Sequence, residues 1–193
     1  MTRIVIADDE PITRMDIRGM LTELGYAVVG EAADGFDAVE ICKREHPDVV
    51  LMDVKMPVFD GLSAAGLIVQ KGLAGCVVLL TAFNDDTIIT GAAEAGVTGY
   101  LVKPVNQRLL RPTIEMAVAQ SERLARSRKE TEKAEKQLSD SRAIARAQAV
   151  LAKKQGISES EAYATLRRMS MEKRISMATL ALAVLRQEGK AEG

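Results

Sequence analysis

A chain of 193 residues holds one full α/β domain and a small second module, not two large domains. Apolar residues make up 47% and charged residues 27%, which supports a packed core and excludes general disorder. Aromatics are only 3% with no Trp, against recognition by rows of stacked rings, and two Cys with one His cannot build a Cys/His zinc site or a disulfide framework. The net charge of −1 hides a split. Residues 1–112 carry 10 basic and 16 acidic side chains, residues 113–141 six of each, and residues 142–193 ten basic and five acidic. An acidic front on a basic tail predicts different partners for the two ends. Uncharged apolar runs reach only about ten residues, as around Cys76 to Phe83, so no membrane span is expected. Acidic residues at Asp8-Asp9-Glu10 arrive before a signal-peptide core forms, and a reduced, cytoplasmic protein is expected.

Short β-branched and apolar runs recur at Ile4-Val5-Ile6, Val28-Val29, Val49-Val50-Leu51-Met52, Val77-Val78-Leu79-Leu80 and Gly99-Tyr100-Leu101-Val102. Amphipathic stretches over about 11–24, 35–45, 61–71 and 85–95 separate them, bounded by Gly, Pro, Asn or Asp. This alternation predicts βαβ units: a doubly wound, five-stranded parallel sheet of the α/β class, flavodoxin-like, with ligands beyond the carboxyl ends of the strands. Those ends carry Asp8-Asp9-Glu10, Asp53, Thr81-Ala82 and Lys103-Pro104. Any one of them alone is an ordinary turn former or helix cap. Together they form a set. Three carboxylates in one cleft repel unless a cation joins them, and a small hard ion such as Mg²⁺ suits oxygen ligands. A carboxylate can also attack phosphorus, with a metal, a Lys and a hydroxyl offsetting charge on the phosphoryl oxygens.

The motifs IVIADDEP, VVLMDVKMPVFDG, LLTA and GYLVKP resemble the receiver domain of two-component response regulators over about residues 1–120. The resemblance implies a phosphoacceptor at Asp53, and Mg²⁺ ligands at Asp8 or Asp9, Asp53 and the backbone carbonyl of Lys55. It further implies phosphate contacts at Thr81-Ala82 and Lys103, an aromatic switch at Tyr100, a cis peptide at Lys103-Pro104, and a histidine kinase as partner. Gly61, after Asp60, reads from sequence simply as a turn residue.

Thr113 to Gln155 contains no Gly or Pro and allows 43 residues of helix, with Pro112 either starting it or kinking the helix before it. A seven-residue stripe runs through Ala117, Leu124, Thr131, Leu138 and Ala145. Its intervening seam positions bury little, which predicts a conditional coiled-coil dimer. The tail reads as a small three-helix bundle. Its parts are the end of the long helix through Ile144, Ala147, Val150 and Leu151, a helix capped at Ser158 with an apolar face of Ala162, Tyr163, Leu166 and Met169, and a last helix over about Ser176 to Leu185. Seven of its ten basic residues lie near helix ends and turns, Arg146 and three pairs. Lys153-Lys154 end the long helix, Arg167-Arg168 follow the capped helix, and Lys173-Arg174 occupy the next turn.

The stretch from Ala143 to Leu185 resembles the ANTAR output domain of transcription antitermination regulators, a resemblance that covers about residues 135–188 and runs through Ala147, Ala162, Tyr163, Leu166-Arg167 and Ala181. Gln148-Ala149 stands where that family usually has Lys-Gly. DDEPITRMDIRGML and GEAADGFDAVEICK are similar to ethanolamine-utilisation regulators. The expected division is a receiver at 1–112, a helical linker at 113–141 and an RNA-binding module at 142–193. The resemblance implies phosphorylation at Asp53, dimerisation and binding of hairpins in leader RNA, with Arg146, Lys153, Lys154, Arg167, Arg168, Lys173 and Arg174 as the contact surface. A DNA-binding regulator is the alternative, disfavoured by the nearly all-apolar final helix; a protein-interaction module without nucleic acid is a third.

Overall fold

Apolar side chains alternate along β1 (Arg3–Ala7), sending Ile4 and Ile6 to one face of a sheet and Val5 and Ala7 to the other. All four are fully buried, so both faces are covered. The computed structural model describes residues 1–82, 91–92 and 95–188. The helix expected over 85–95 falls largely outside the described residues. After β1 come α1 (Pro11–Glu23), β2 (Ala27–Ala32), α2 (Gly35–Glu45), β3 (Val49–Asp53), α3 (Gly61–Lys71), β4 (Cys76–Thr81) and β5 (Gly99–Val102). The strands pair in parallel in the order β2-β1-β3-β4-β5, the doubly wound arrangement expected. One core joins the sheet to α2 and α3 through Ala38, Cys42, Ala64 and Ile68; the other packs Ile17 and Leu21 of α1 beneath it. The strand order reverses between β1 and β3, and a cleft is expected there.

The next helix, α4 (Gln107–Gln155), begins before Pro112, so of the two sequence alternatives the proline does not start the long helix but lies inside it. Pro112 removes one helical hydrogen bond, but Leu110, Ile114 and Ala117 around it are buried in the second sheet core. That packing outweighs the lost bond and carries the helix through the proline. Ala117 is therefore spent inside the first unit and does not belong to a free stripe. Leu124 and Leu138 are exposed and remain available.

The chain divides into two compact units, Met1–Arg126 and Ser127–Gly193. The second contains the end of α4 with α5 (Glu159–Lys173) and α6 (Met177–Glu188). Ala143, Ala147, Leu151, Ala162, Leu166, Leu180 and Ala181 form its core. Ser158 caps α5 with a complete capping box to Glu161. The buried side of α5 is Ala162, Leu166 and Ser170, at steps of four. Tyr163, one position round from Ala162, is 42% exposed and lies off that face, contrary to the sequence expectation.

Asp60 caps α3, accepting the Ser63 N–H at 2.9 Å. Partial burial would raise its carboxyl, but backbone and side-chain hydrogen bonds from Ser63 hold it below its ordinary 3.8. A lowered folded pKa adds stability above the ordinary value, lost as pH falls through the folded one. Asp60→Ala is expected to cost about 1 kcal/mol at neutral pH in urea unfolding, and less below pH 3.8.

Candidate functional site

Parallel register brings the chemistry to one edge. Ala7 lies opposite Met52 and Thr81 opposite Val102, so Asp8 stands beside Asp53, and the Lys103 N–H donates to the Thr81 carbonyl at 2.8 Å. Ligand oxygens of Asp8, Asp9 and Asp53 all lie within 4.8 Å of one another. Asp8 is fully buried, Asp53 nearly so, and Asp9 is exposed. The Lys103 Nζ sits 2.7 Å from Asp8 Oδ2 and 3.0 Å from Asp53 Oδ2. Burial pushes the Asp53 carboxyl up; the Lys103 hydrogen bond and charge pull it down, the Asp8 charge adds to the rise, and the net direction is upward. Burial alone would lower the Lys103 ammonium, yet its bonds to Asp8 and Asp53 leave it raised. The Lys55 backbone N–H also reaches the Asp53 carboxylate, placing Lys55 in the turn directly after β3.

Asp8 Oδ1 accepts the Glu10 N–H at 3.0 Å, whereas the buried Oδ2 meets no donor apart from the Lys103 ion pair. Three carboxylates gathered at one strand edge, two of them buried and sharing a single ammonium, are an all-oxygen, hard donor set that fits a small divalent cation. Thr81 Oγ1 donates to the Ala82 carbonyl at 3.1 Å, and Tyr100 is 57% exposed. Lys103-Pro104 is cis.

Several neighbours carry no sequence signal. Gly61 donates its N–H to the Val54 carbonyl at 3.0 Å, and a Cβ there would stand 1.7 Å from the Asp53 carbonyl oxygen. It is a close-approach residue at the phosphoacceptor candidate, not merely a turn former. The Phe59 ring stacks on Phe36 at 4.7 Å and ties the β3–α3 loop to α2. Arg14 bonds the Asp8 backbone.

The family pattern described as the response regulator receiver domain matches residues 4–115, and the ANTAR domain pattern matches residues 132–185. The chain belongs to the two-component response regulators with a receiver and an ANTAR domain. Transcriptional regulatory protein PdtaR of Mycobacterium tuberculosis H37Rv is 40% identical over 187 residues, covering 97% of this chain and 91% of that protein. Among solved structures, a LuxR-family two-component response regulator from Aurantimonas shares 35% identity at a TM-score of 0.57, covering 62% of this chain and 86% of that one. The receiver domain of a sensor histidine kinase from Pseudomonas aeruginosa PAO1 shares 30% identity at 0.55, covering 61% and 98%; that structure holds a magnesium ion in its active site cleft. No described helix of this response regulator is long and apolar enough to cross a membrane.

In the ANTAR unit, Arg146, Lys153, Lys154, Arg167, Arg168, Lys173 and Arg174 are all exposed. Lys153 and Lys154 lie in the last turn of α4, as expected. Arg167 and Arg168 lie inside α5 rather than after it, because the helix runs on to Lys173, and Arg174 is its left-handed cap. Gln148, at the position of the family's Lys, donates to the Glu159 carbonyl at 3.0 Å and joins α4 to α5.

Gly61→Ala forces β3 and α3 apart at Asp53. It is expected to cost about 1–3 kcal/mol in denaturant unfolding, with loss of the cation response of the thermal midpoint.

Proposed function

We propose that this response regulator takes a phosphoryl group from a histidine kinase onto Asp53, pairs with a second copy, and binds hairpins in leader RNA to promote antitermination. The observation that carries the first step is Asp53, nearly buried, sharing the Lys103 ammonium with Asp8. A carboxylate oxygen of Asp53 forms a bond to phosphorus as the phosphorus–nitrogen bond of a phosphohistidine breaks, and the imidazole, protonated beforehand on its other ring nitrogen, takes the bonding pair and leaves as the neutral ring. Asp8, Asp9, Asp53 and the Lys55 backbone carbonyl would hold Mg²⁺, which when bound offsets charge on the phosphoryl oxygens. Lys103 offers its ammonium to one phosphoryl oxygen and Thr81, with the backbone at Ala82, a hydrogen bond to another. Thr81 must leave the Ala82 carbonyl to do so, and exposed Tyr100 is free to move behind it. Acetyl phosphate with Mg²⁺ should add one acyl phosphate to the chain, and Asp53→Asn should take up none; labelling that persists in Asp53→Asn refutes the assignment.

Pairing is proposed along α4 at Leu124, Thr131 and Leu138, now without Ala117. Two exposed leucines with polar seam neighbours give a weak interface that a coupling of about 1–3 kcal/mol can tip. Sedimentation should find monomer before phosphorylation and dimer after it. An unphosphorylated dimer at submicromolar concentration argues against the switch.

The RNA step is carried by the ANTAR match and by the exposed basic residues on α4 and α5. The receiver at 1–112, linker at 113–141 and output module at 142–193 are its working parts in the cytoplasm. Lys153→Ala with Lys154→Ala should weaken binding to a two-hairpin RNA and flatten the salt slope by about one unit per lost phosphate contact. Arg167→Ala or Arg168→Ala should cost about 1–3 kcal/mol where the residue reads a base. Mobility shifts at several salt concentrations, with duplex DNA as the control, measure both. Folded variants that bind like wild type would displace the surface, and equal binding to duplex DNA would favour the DNA-binding alternative.

A further inference from the structure

Asp8 is held by its backbone from two directions. Its N–H donates to the Ala32 carbonyl of β2 at 3.1 Å, and its own carbonyl accepts Arg14 Nη1 from α1 at 2.6 Å. Arg14 Nε lies 3.6 Å from Glu31 Oε2, and Glu31 precedes Ala32 on the same strand. The contacts close a ring from Asp8 through Ala32, Glu31 and Arg14 back to Asp8, joining β1, β2 and α1. Glu31 also pairs with Arg18 at 2.9 Å, but the Arg18 side chain is 63% exposed against 18% for Arg14. Arg18 is a surface partner; Arg14 is built in.

The oxygen that Arg14 grips belongs to the peptide between Asp8 and Asp9. That amide is planar, so holding its carbonyl fixes the plane from which the Asp9 backbone departs. The exposed Asp9 carboxylate departs from that backbone and lies within 4.8 Å of those of Asp8 and Asp53. We infer that Arg14, anchored by Glu31, is a positioning residue that sets the geometry of the Asp8–Asp9 pair and thereby the affinity of this chain for a divalent cation. Arg14 touches none of the reacting atoms. It acts on a ligand pair through one backbone oxygen, as the supporting groups around metal ligands do, and losing such a group typically costs about 10- to 100-fold in metal affinity. The inference rests on the reading of Asp8, Asp9 and Asp53 as cation ligands.

The test is calorimetric titration of the full chain with Mg²⁺, compared with the Mg²⁺ dependence of labelling by acetyl phosphate. Arg14→Ala should raise the dissociation constant about tenfold or more. The half-saturating Mg²⁺ concentration for labelling should rise by the same factor, more than the maximal rate falls. Arg14→Lys should recover part of the affinity, because an ammonium can donate to the Asp8 carbonyl but cannot reach Glu31 as well. Glu31→Gln should shift affinity in the same direction by less. Unfolding in chelator shows which variants are folded; should Arg14→Ala fail, Arg14→Lys and Glu31→Gln carry the test. Folded variants with wild-type Mg²⁺ affinity overturn the inference, as does a fall in maximal rate with an unchanged Mg²⁺ requirement. If wild type binds Mg²⁺ and is labelled, the ligand reading stands whatever Arg14 does; if wild type does neither, that reading fails and takes this inference with it.

Discussion

Two carboxylates buried side by side require a cation between them, and in this fold Lys103 is that cation. Its ammonium meets Asp8 and Asp53 together, at the end of β5, the strand furthest from β1 on that side of the sheet. The edge strand β5 therefore needs its pairing with β4 for more than hydrogen bonds, since the Thr81–Val102 register delivers Lys103 to the cleft. Removing one partner from such a buried pair typically costs about 3–5 kcal/mol, because the other charge is left uncompensated. Strand order, strand register and the charge of the cleft are thus one constraint. A sheet slipped by one residue would turn Asp53 or Lys103 to the wrong face.

The chemistry at the strand ends was legible because strand ends are marked twice, by the stop of an apolar run and by the polar residue that follows. Asp8, Asp53, Thr81 and Lys103 all carry that mark. The cap at Ser158 was legible, since a side-chain oxygen three residues before an amide is a local event, whereas the caps at Asp34 of α2 and Asp60 of α3 emerge from the structure. Arg14 was not legible. Its partner is a backbone carbonyl, and a carbonyl leaves no trace in residue type. Gly61 looked like a turn residue because a steric need to pass the Asp53 carbonyl has no pattern in sequence. Ala117 sits in phase with both a sheet-facing stripe and a seven-residue stripe, and only packing against the sheet decides between them. Tyr163 was assigned inward by hydrophobicity, whereas the step of four from Ala162 to Leu166 to Ser170 determines the buried side.

The output unit is built differently from the receiver. Four of the seven residues in its core are alanines, so its helices approach closely and gain little apolar area per residue. Specific bonds supplement that thin core. Gln148 ties α4 to α5, and the buried Ser170 hydroxyl donates to the Ile175 carbonyl at 2.6 Å, fastening the turn between α5 and α6. Gln148 is thus a strut between helices.

α4 belongs to both cores, with Leu110 and Ile114 at one end and Ala147 and Leu151 at the other. Helix formation is slow to nucleate and easy to extend, so the turn organised by the receiver serves as the nucleus for everything downstream on the same helix. The output bundle receives its first helix as an extension rather than as a new initiation. Cut free of the receiver, the same residues would have to meet that initiation cost with an alanine-rich core. Continuity with the receiver thus spares the output unit's first helix a separate start.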